Sequence, residues 1–256
     1  MMNTQREGYL LRKYLGEEAI KGLRQCNAYI AGGAITALFS GQKIRDWDIY
    51  FRTKEDCEKA ITWFGINGVL ANETDTSKSY KLGKQEKPYQ LIVLPDLFGD
   101  PADIFKCYDF TVCMGAYQFF ADPALQPTEG FVFGDDFFKH IGQRRLVFHT
   151  GTMFPICSML RVMKYIKRGF YITGMEILKI GLSVHSLKIN TYADLRRQLQ
   201  GIDTAFLADL TTQMKDGEPL GAKEYVNEQF LAMMDDFVSQ HYEHLTAGEG
   251  EDGVEP

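Results

Sequence analysis

The sequence predicts an α+β protein, a small mixed sheet with helices followed by a helical region, and three observations carry this reading. Short apolar and aromatic runs at Ala28-Tyr29-Ile30-Ala31, after Lys43, at residues 89–93 and at Phe131-Val132-Phe133 have the length and β-rich composition of strands. Helical apolar spacing stands between and before them. From Met153 to Tyr242 the spacing is mainly helical, broken at Gly174, Asn190, Gly201 and Gly217-Glu218-Pro219.

Taken in order, residues 3–25 space Tyr9, Leu10, Tyr14, Leu15, Ile20 and Leu23 as a helix, with Gly22 near its end. The strand at Ala28 runs into Gly32-Gly33, and a helix begins near Ala34. Glycines at that junction let backbone N–H groups approach a phosphate at a helix N-terminus. The segment after Lys43 reads Ile44-Arg45-Asp46-Trp47-Asp48-Ile49-Tyr50-Phe51, a strand whose alternation puts Asp46 and Asp48 on one face and Trp47 on the other. Thr53 then caps a helix reaching Phe64, with Gly65 and Gly68 behind it. Residues 71–88, with Lys78, Lys81, Lys84 and Lys87, form a hairpin or a mobile loop beside the site. Residues 89–93 are a strand, and Arg145-Leu146-Val147-Phe148-His149 is a further short strand candidate. The chain divides into a head over residues 1–150, a helical domain over 151–246 and an acidic, disordered tail over 247–256, where Glu249, Glu251, Asp252 and Glu255 gather.

The chemistry lies in the converging carboxylates. Two aspartates on one strand face repel unless cations neutralise them, and such pairs hold Mg²⁺ ions about 4 Å apart that clamp attacking and leaving oxygens. Taken alone, a bare Asp-x-Asp, which is very common, reads as a solvated strand end and Gly-Gly as a turn. Together they point to phosphoryl transfer from a nucleotide.

The order and spacing of Gly32, Gly33, Gly41, Asp46 and Asp48 resemble the head-domain motif of the tRNA CCA-adding enzyme and bacterial poly(A) polymerase group, within the DNA polymerase β-like nucleotidyltransferases. Tyr108-Asp109-Phe110-Thr111-Val112-Cys113-Met114 resembles that group's Asp-Phe-Thr-x-Asn-Ala motif, and Leu160-Arg161-Val162-Met163-Lys164-Tyr165 before Gly169-Phe170 resembles its neck helix. The resemblance covers residues 28–170. It implies a polymerase β-like palm and a transferase that moves a nucleoside monophosphate from an NTP to a hydroxyl, with RNA or tRNA as acceptor and pyrophosphate released. Asp46 and Asp48 would hold Mg²⁺ or Mn²⁺, and Gly32 and Gly33 would cradle the triphosphate, with Thr36 and Ser40 as hydroxyl donors and Arg45 nearby. Asp109 would contact the ribose or supply a third carboxylate, and Arg161 and Lys164 would neutralise phosphate charge.

The chain also departs from that group. Ile35-Thr36-Ala37 stands where the group has Val-Arg-Asp, and Cys107 and Tyr108 replace its arginines. The base-selecting residues would fall on Phe154, Pro155 and Ser158, which cannot read base edges, so CCA addition itself is not expected. On the strand at residues 89–93 the polar inward residue is Gln90, and an amide cannot act as a base. The alternatives are a nucleotide- or RNA-binding module of the same fold without turnover, and a toxin-type transferase acting on tRNA or protein.

Composition narrows the rest. No run approaches the ~20 apolar residues of a membrane span, and the start lacks a signal-peptide core, which predicts a cytoplasmic protein with no membrane partner. The five cysteines are odd in number and form no Cys-x-x-Cys, against a disulfide framework or a zinc site, and Cys113 and Cys157 read as buried fillers. His241 and His244 have metal-compatible spacing without a third ligand. A net charge of −6 argues against a chain coated in nucleic acid, yet residues 137–175 contain no Asp or Glu and carry Lys139, Arg144, Arg145, Arg161, Lys164, Lys167 and Arg168. On the helix there, Arg161, Lys164 and Arg168 share a face, with Ile156, Leu160, Met163 and Ile166 expected toward the core. Self-association is left open.

Overall fold

A computed structural model describes residues 4–85, 87–120 and 129–199. The chain separates into two compact units, residues 1–152 and the residues from Met153 onward.

The first unit opens with two helices rather than one. Gly16, at φ +83°, breaks the N-terminal helical pattern into α1 (Gln5–Leu15) and α2 (Glu17–Gln25). Then come β1 (Tyr29–Ala31), α3 (Gly33–Ser40), β2 (Trp47–Tyr50) and α4 (Lys54–Asn67). The Thr53 hydroxyl caps α4 by accepting the Asp56 N–H at 3.1 Å. Residues 69–81 form a hairpin, β3 (Val69–Glu73) and β4 (Ser77–Lys81), leading to β5 (Tyr89–Ile92), α5 (Pro101–Phe105) and a 3₁₀ turn at Thr111–Cys113. The unit closes with β6 (Gly115–Gln118), β7 (Gly130–Phe133), α6 (Phe137–Gly142) and the two-residue β8 (Arg145–Leu146).

The main sheet has seven strands in the order β3-β4-β5-β2-β1-β6-β7. Every adjacent pair is antiparallel except β2 with β5, which is parallel. That one parallel pair needs a long crossover, which α4, β3 and β4 supply. Trp47, Ile49 and Phe51 point to one side with Tyr89 and Leu91, all of them 0% exposed. Helix α4 covers this side, where Phe64 meets Tyr80 and Tyr89, and α1 is tied to it by the Tyr89 hydroxyl donating to the Leu15 carbonyl at 2.7 Å. On the opposite side Tyr29, Tyr50, Met114, Ile104 and Phe105 form a cluster under α5. Glu129, just before β7, receives Arg12 at 2.8 Å and Arg24, so one carboxylate binds both N-terminal helices to the sheet.

Burial lifts the Cys26 thiol, helped by Asp56, and the Cys57 thiol, helped by Glu58, each from 9.0 to about 11, and lifts the Tyr89 phenol to about 12. A neutral group held above its unfolded value stabilises the fold fully below that unfolded value and ceases to do so as pH climbs through the folded value. Stability is therefore expected to be flat to about pH 9 and to fall between pH 9 and 11, a loss that Cys26→Ala/Cys57→Ala flattens in denaturant titrations. An unchanged slope in that variant would refute the assignment.

The second unit contains α7 (Pro155–Lys167), α8 (Gly174–His185) and α9 (Tyr192–Leu199). Its core face on α7 is not the one expected from spacing. Pro155, Cys157, Ser158, Val162 and Tyr165 are buried, whereas Met163 and Ile166 stand 48% and 44% exposed. Tyr165 sets this rotation: Phe170 packs edge-on against it at 5.6 Å, and the Arg161 and Arg168 guanidinium groups lie 6.0 and 5.7 Å from its ring centre. The histidine pair 241/244 and the acidic tail lie outside the described residues.

Candidate nucleotide site

The register of the sheet assembles the site. Ile30 pairs with Ile49 in the antiparallel β1–β2 ladder, so the end of β1, and the Gly32 turn beyond it, lie beside the start of β2. Asp48 stands half-buried on β2 and Asp46 half-buried just before it, flanking the fully buried Trp47. Across the parallel ladder Asp48 is opposite Gln90, and Gln90 is opposite Ser79. The Gln90 amide N–H donates to the Ser77 hydroxyl at 3.0 Å. Thus an amide, held by the neighbouring strand, lies next to the carboxylate strand.

Gly32 carries φ +77° and ψ −131°, a conformation closed to side chains, and its N–H donates to the Gly115 carbonyl at 3.1 Å. The first intrahelical bond of α3 runs from the Thr36 N–H to the Gly32 carbonyl. The N–H groups of Gly33, Ala34 and Ile35 therefore have no partner within the helix. A Cβ on Gly33 would meet nothing within 4 Å, so open space lies over the positive end of the helix. A phosphate suits that space.

Two expected donors lie elsewhere in the chemistry. Thr36 is 0% exposed, and its single hydroxyl proton is shared between the Val112 carbonyl at 2.7 Å and the Gly32 carbonyl at 3.1 Å. It locks α3 to the Thr111–Cys113 turn and has no proton left for a nucleotide. Thr36→Val is expected to cost about 1–3 kcal/mol in denaturant unfolding because the Val112 carbonyl stays buried without its donor; a neutral result would remove this structural role. Ser40 is buried at the last turn of α3, its hydroxyl 3.4 Å from the Ala37 carbonyl and its own carbonyl accepting from Arg144 at 2.9 Å. That is the helix end away from the glycine turn. Gly41, at φ +70°, ends the helix, and Arg45 is exposed.

Asp109 is 3% exposed, and its backbone carbonyl accepts the His149 N–H at 2.7 Å. What the Gly32 turn meets is its neighbour Tyr108, whose hydroxyl lies 3.5 Å and whose ring lies 3.8 Å from a Cβ built on Gly32. Sequence reasoning noted Tyr108 only as a replaced arginine; its position directly before the matched Asp-Phe-Thr was the available signal. Arg161 and Lys164 belong to α7 in the second unit, both half-buried.

The donor set bears on the implied cation. Among the described residues no group of three or more His, Cys, Asp or Glu could hold a metal ion. Mg²⁺ is commonly held by one or two carboxylates, with water and substrate phosphates completing its shell. Asp46 and Asp48 fit a cation that arrives with a nucleotide, and Gln90 adds only a neutral amide beside them.

Residues 5–144 match the Gabija anti-defense 2 family protein. A relative named Gabija anti-defense 2 from Bacillus phage SPbetaL7 is 40% identical over 202 residues, 78% of this chain and 48% of its own length. The chain belongs to the Gabija anti-defense 2 family. It spans about half the length of that curated relative.

Solved structures place this Gabija anti-defense 2 member in a wider fold group. A CCA-adding enzyme in complex with CTP matches at a TM-score of 0.53 and 16% identity, covering 80% of this chain and 53% of that one. The apo form II of a CCA-adding enzyme matches at 0.52 and 15%, covering 83% and 55%. At such identities the likeness establishes the α+β nucleotidyltransferase fold and nothing finer. Among the described residues no helix is long and apolar enough to cross a membrane.

Proposed function

We propose that this chain is a nucleotidyltransferase that moves a nucleoside monophosphate from an NTP to a hydroxyl acceptor, with RNA or tRNA the leading acceptor, and that this reaction serves Gabija anti-defense in the cytoplasm. The observation that carries the reading is the register of β1 and β2, which sets the Asp46/Asp48 pair beside the open N-terminus of α3. Anionic phosphate and divalent cation would each find their complement where the end of β1 meets the start of β2. Bound there, Mg²⁺ or Mn²⁺ would neutralise charge on the phosphoryl group and the leaving pyrophosphate. Asp46 and Asp48 would orient that cation. The Gly33 and Ala34 N–H groups would receive the phosphates, fixing the α-phosphorus for in-line attack, so that catalysis is positioning and electrostatics. Asp109 would contact the ribose or supply a third carboxylate, and Arg161 and Lys164, on α7, would meet phosphate charge on the RNA.

The test is label transfer and pyrophosphate release with each α-labelled NTP, with Mg²⁺ or Mn²⁺, using total RNA and then protein extract as acceptors. Labelling of one acceptor class names nucleotide and acceptor together. Silence with every combination, from folded protein, would sink the reading.

One observation favours a second reading. Gln90, not a carboxylate, lies opposite Asp48, as suits a nucleotide- or RNA-binding module without turnover. Nucleotide binding that needs no divalent cation and releases no pyrophosphate would select it. A toxin-type transferase differs from the first reading only in its acceptor.

A further inference from the structure

Strands β2 and β5 are parallel, and the Trp47 N–H donates to the Pro88 carbonyl at 3.1 Å, so both begin at one end of the sheet, the end where Asp46 stands. The C-terminus of α1 is held at the same end. The Tyr89 hydroxyl donates to the Leu15 carbonyl at 2.7 Å, and the Gln85 amide nitrogen lies 3.2 Å from a Cβ built on Gly16. Cations gather there. Lys43 and Arg45 lead into β2 and Lys84 leads toward β5, all three exposed and without an ion pair or hydrogen bond among the described residues. The Lys87 ammonium lies 5.2 Å from the ring centre of Tyr14 and 5.8 Å from that of Trp47, and Tyr14 is itself 42% exposed. Like charges brought together repel, and an anionic partner turns that cost into attraction.

We infer that this end of the sheet is a docking surface for single-stranded RNA, whose phosphates meet Lys43, Arg45, Lys84 and Lys87 while a base stacks on Tyr14. On the nucleotidyltransferase reading, on which this rests, the docked strand presents its hydroxyl end to Asp46 and Asp48. Clustered cations with an aromatic ring among them match both parts of a nucleotide chain, whereas an acidic peptide has charge for the lysines but no base for the ring. The chain carries a net charge of −6, Glu86 stands between the loop lysines in sequence, and Glu17 and Glu18 follow Gly16 at the start of α2. These acids confine the attraction to a few nucleotides, which suits a flexible single strand rather than a long duplex.

The experiment is fluorescence anisotropy of the full chain with a labelled single-stranded RNA of about 12 nucleotides, without NTP or divalent cation, so that binding is read apart from transfer. Arg45→Gln/Lys84→Gln is expected to bind about 10- to 100-fold more weakly at about 50 mM salt and to flatten the slope of log K against log salt by about 1.4, two phosphate contacts at roughly 0.7 each. Both side chains are exposed and unpaired, so the thermal midpoint is expected to stay at the wild-type value. Tyr14→Ala is expected to lose about 10-fold in affinity, with Tyr14→Phe close to wild type. Lys54→Gln/Lys59→Gln removes the same charge from the exposed start of α4, past the far end of β2, and is expected to stay within about twofold of wild type. Unchanged affinity and slope in Arg45→Gln/Lys84→Gln overturn the inference, as do an equal loss in the α4 variant, equally tight binding of poly-glutamate, or no RNA binding by the wild type. Pyrophosphate release with a protein acceptor would survive any of these results, so the RNA surface and the transferase chemistry fail separately.

Discussion

Asp48→Asn is expected to slow nucleotide transfer by at least about 10³-fold at saturating NTP while leaving the fold unchanged, and Asp46→Ala/Asp48→Ala to abolish it. Asparagine keeps the shape of the side chain and one carbonyl oxygen but removes the negative charge. About 4 kcal/mol of transition-state stabilisation is at stake when a catalytic cation is no longer held in place. Asparagine is nearly isosteric with aspartate, so the packing of Asp48, half-buried on β2, is expected to be kept. Stopped-flow pyrophosphate release and denaturant unfolding, measured on the same preparation, separate the two effects. A double mutant that still transfers nucleotide would show that these carboxylates are not the centre of the chemistry.

The largest stability effect is expected between the two carboxylates. Trp47 is 0% exposed, pairs across the sheet with Tyr89 and donates its backbone N–H to the Pro88 carbonyl at 3.1 Å. Its indole N–H is buried without a hydrogen-bond partner among the described residues, so ring volume rather than a polar bond holds it. Trp47→Ala opens a large cavity under the site strand and is expected to cost about 3–5 kcal/mol, a substantial part of a typical domain's stability. Trp47→Phe keeps most of the ring contacts and is expected to lose much less. Chemical denaturation of both variants checks this, and a loss under 1 kcal/mol in the alanine variant would contradict the packing described.

Much of this architecture was legible because period-2 and period-3.6 patterns survive wherever one face is buried. The alternation through Asp46, Trp47 and Asp48, the Thr53 cap and the glycine turn before α3 are all local signals, and the ordered motifs extended them to a fold. What failed to show locally depends on contacts distant in sequence. Thr36 reads as a free hydroxyl until Val112, 76 residues later, takes its proton. On α7 two apolar faces compete, and Tyr165 with Phe170 decides between them, so Met163 and Ile166 face outward against expectation. Strand β6 has the small and polar composition Gly-Ala-Tyr-Gln, which gives no strand signal of its own; its place between β1 and β7 confers the conformation. Tyr108 was visible as a departure, but its nearness to Gly32 belongs to tertiary structure alone.

Strand β2 occupies the middle of the seven-stranded order, with three strands on either flank. Its ladders join segments far apart in the chain, β1 just upstream and β5 beyond the whole α4–β3–β4 excursion. Loop-closure entropy is expected to delay the β5 ladder during folding, so that the carboxylate strand completes its pairing late. Once formed, it sits farthest from fraying. Either edge, β3 or β7, can open to solvent while the spacing of Asp46 and Asp48 is preserved, so the slowest amide exchange of the sheet is expected in the strand that carries the proposed site.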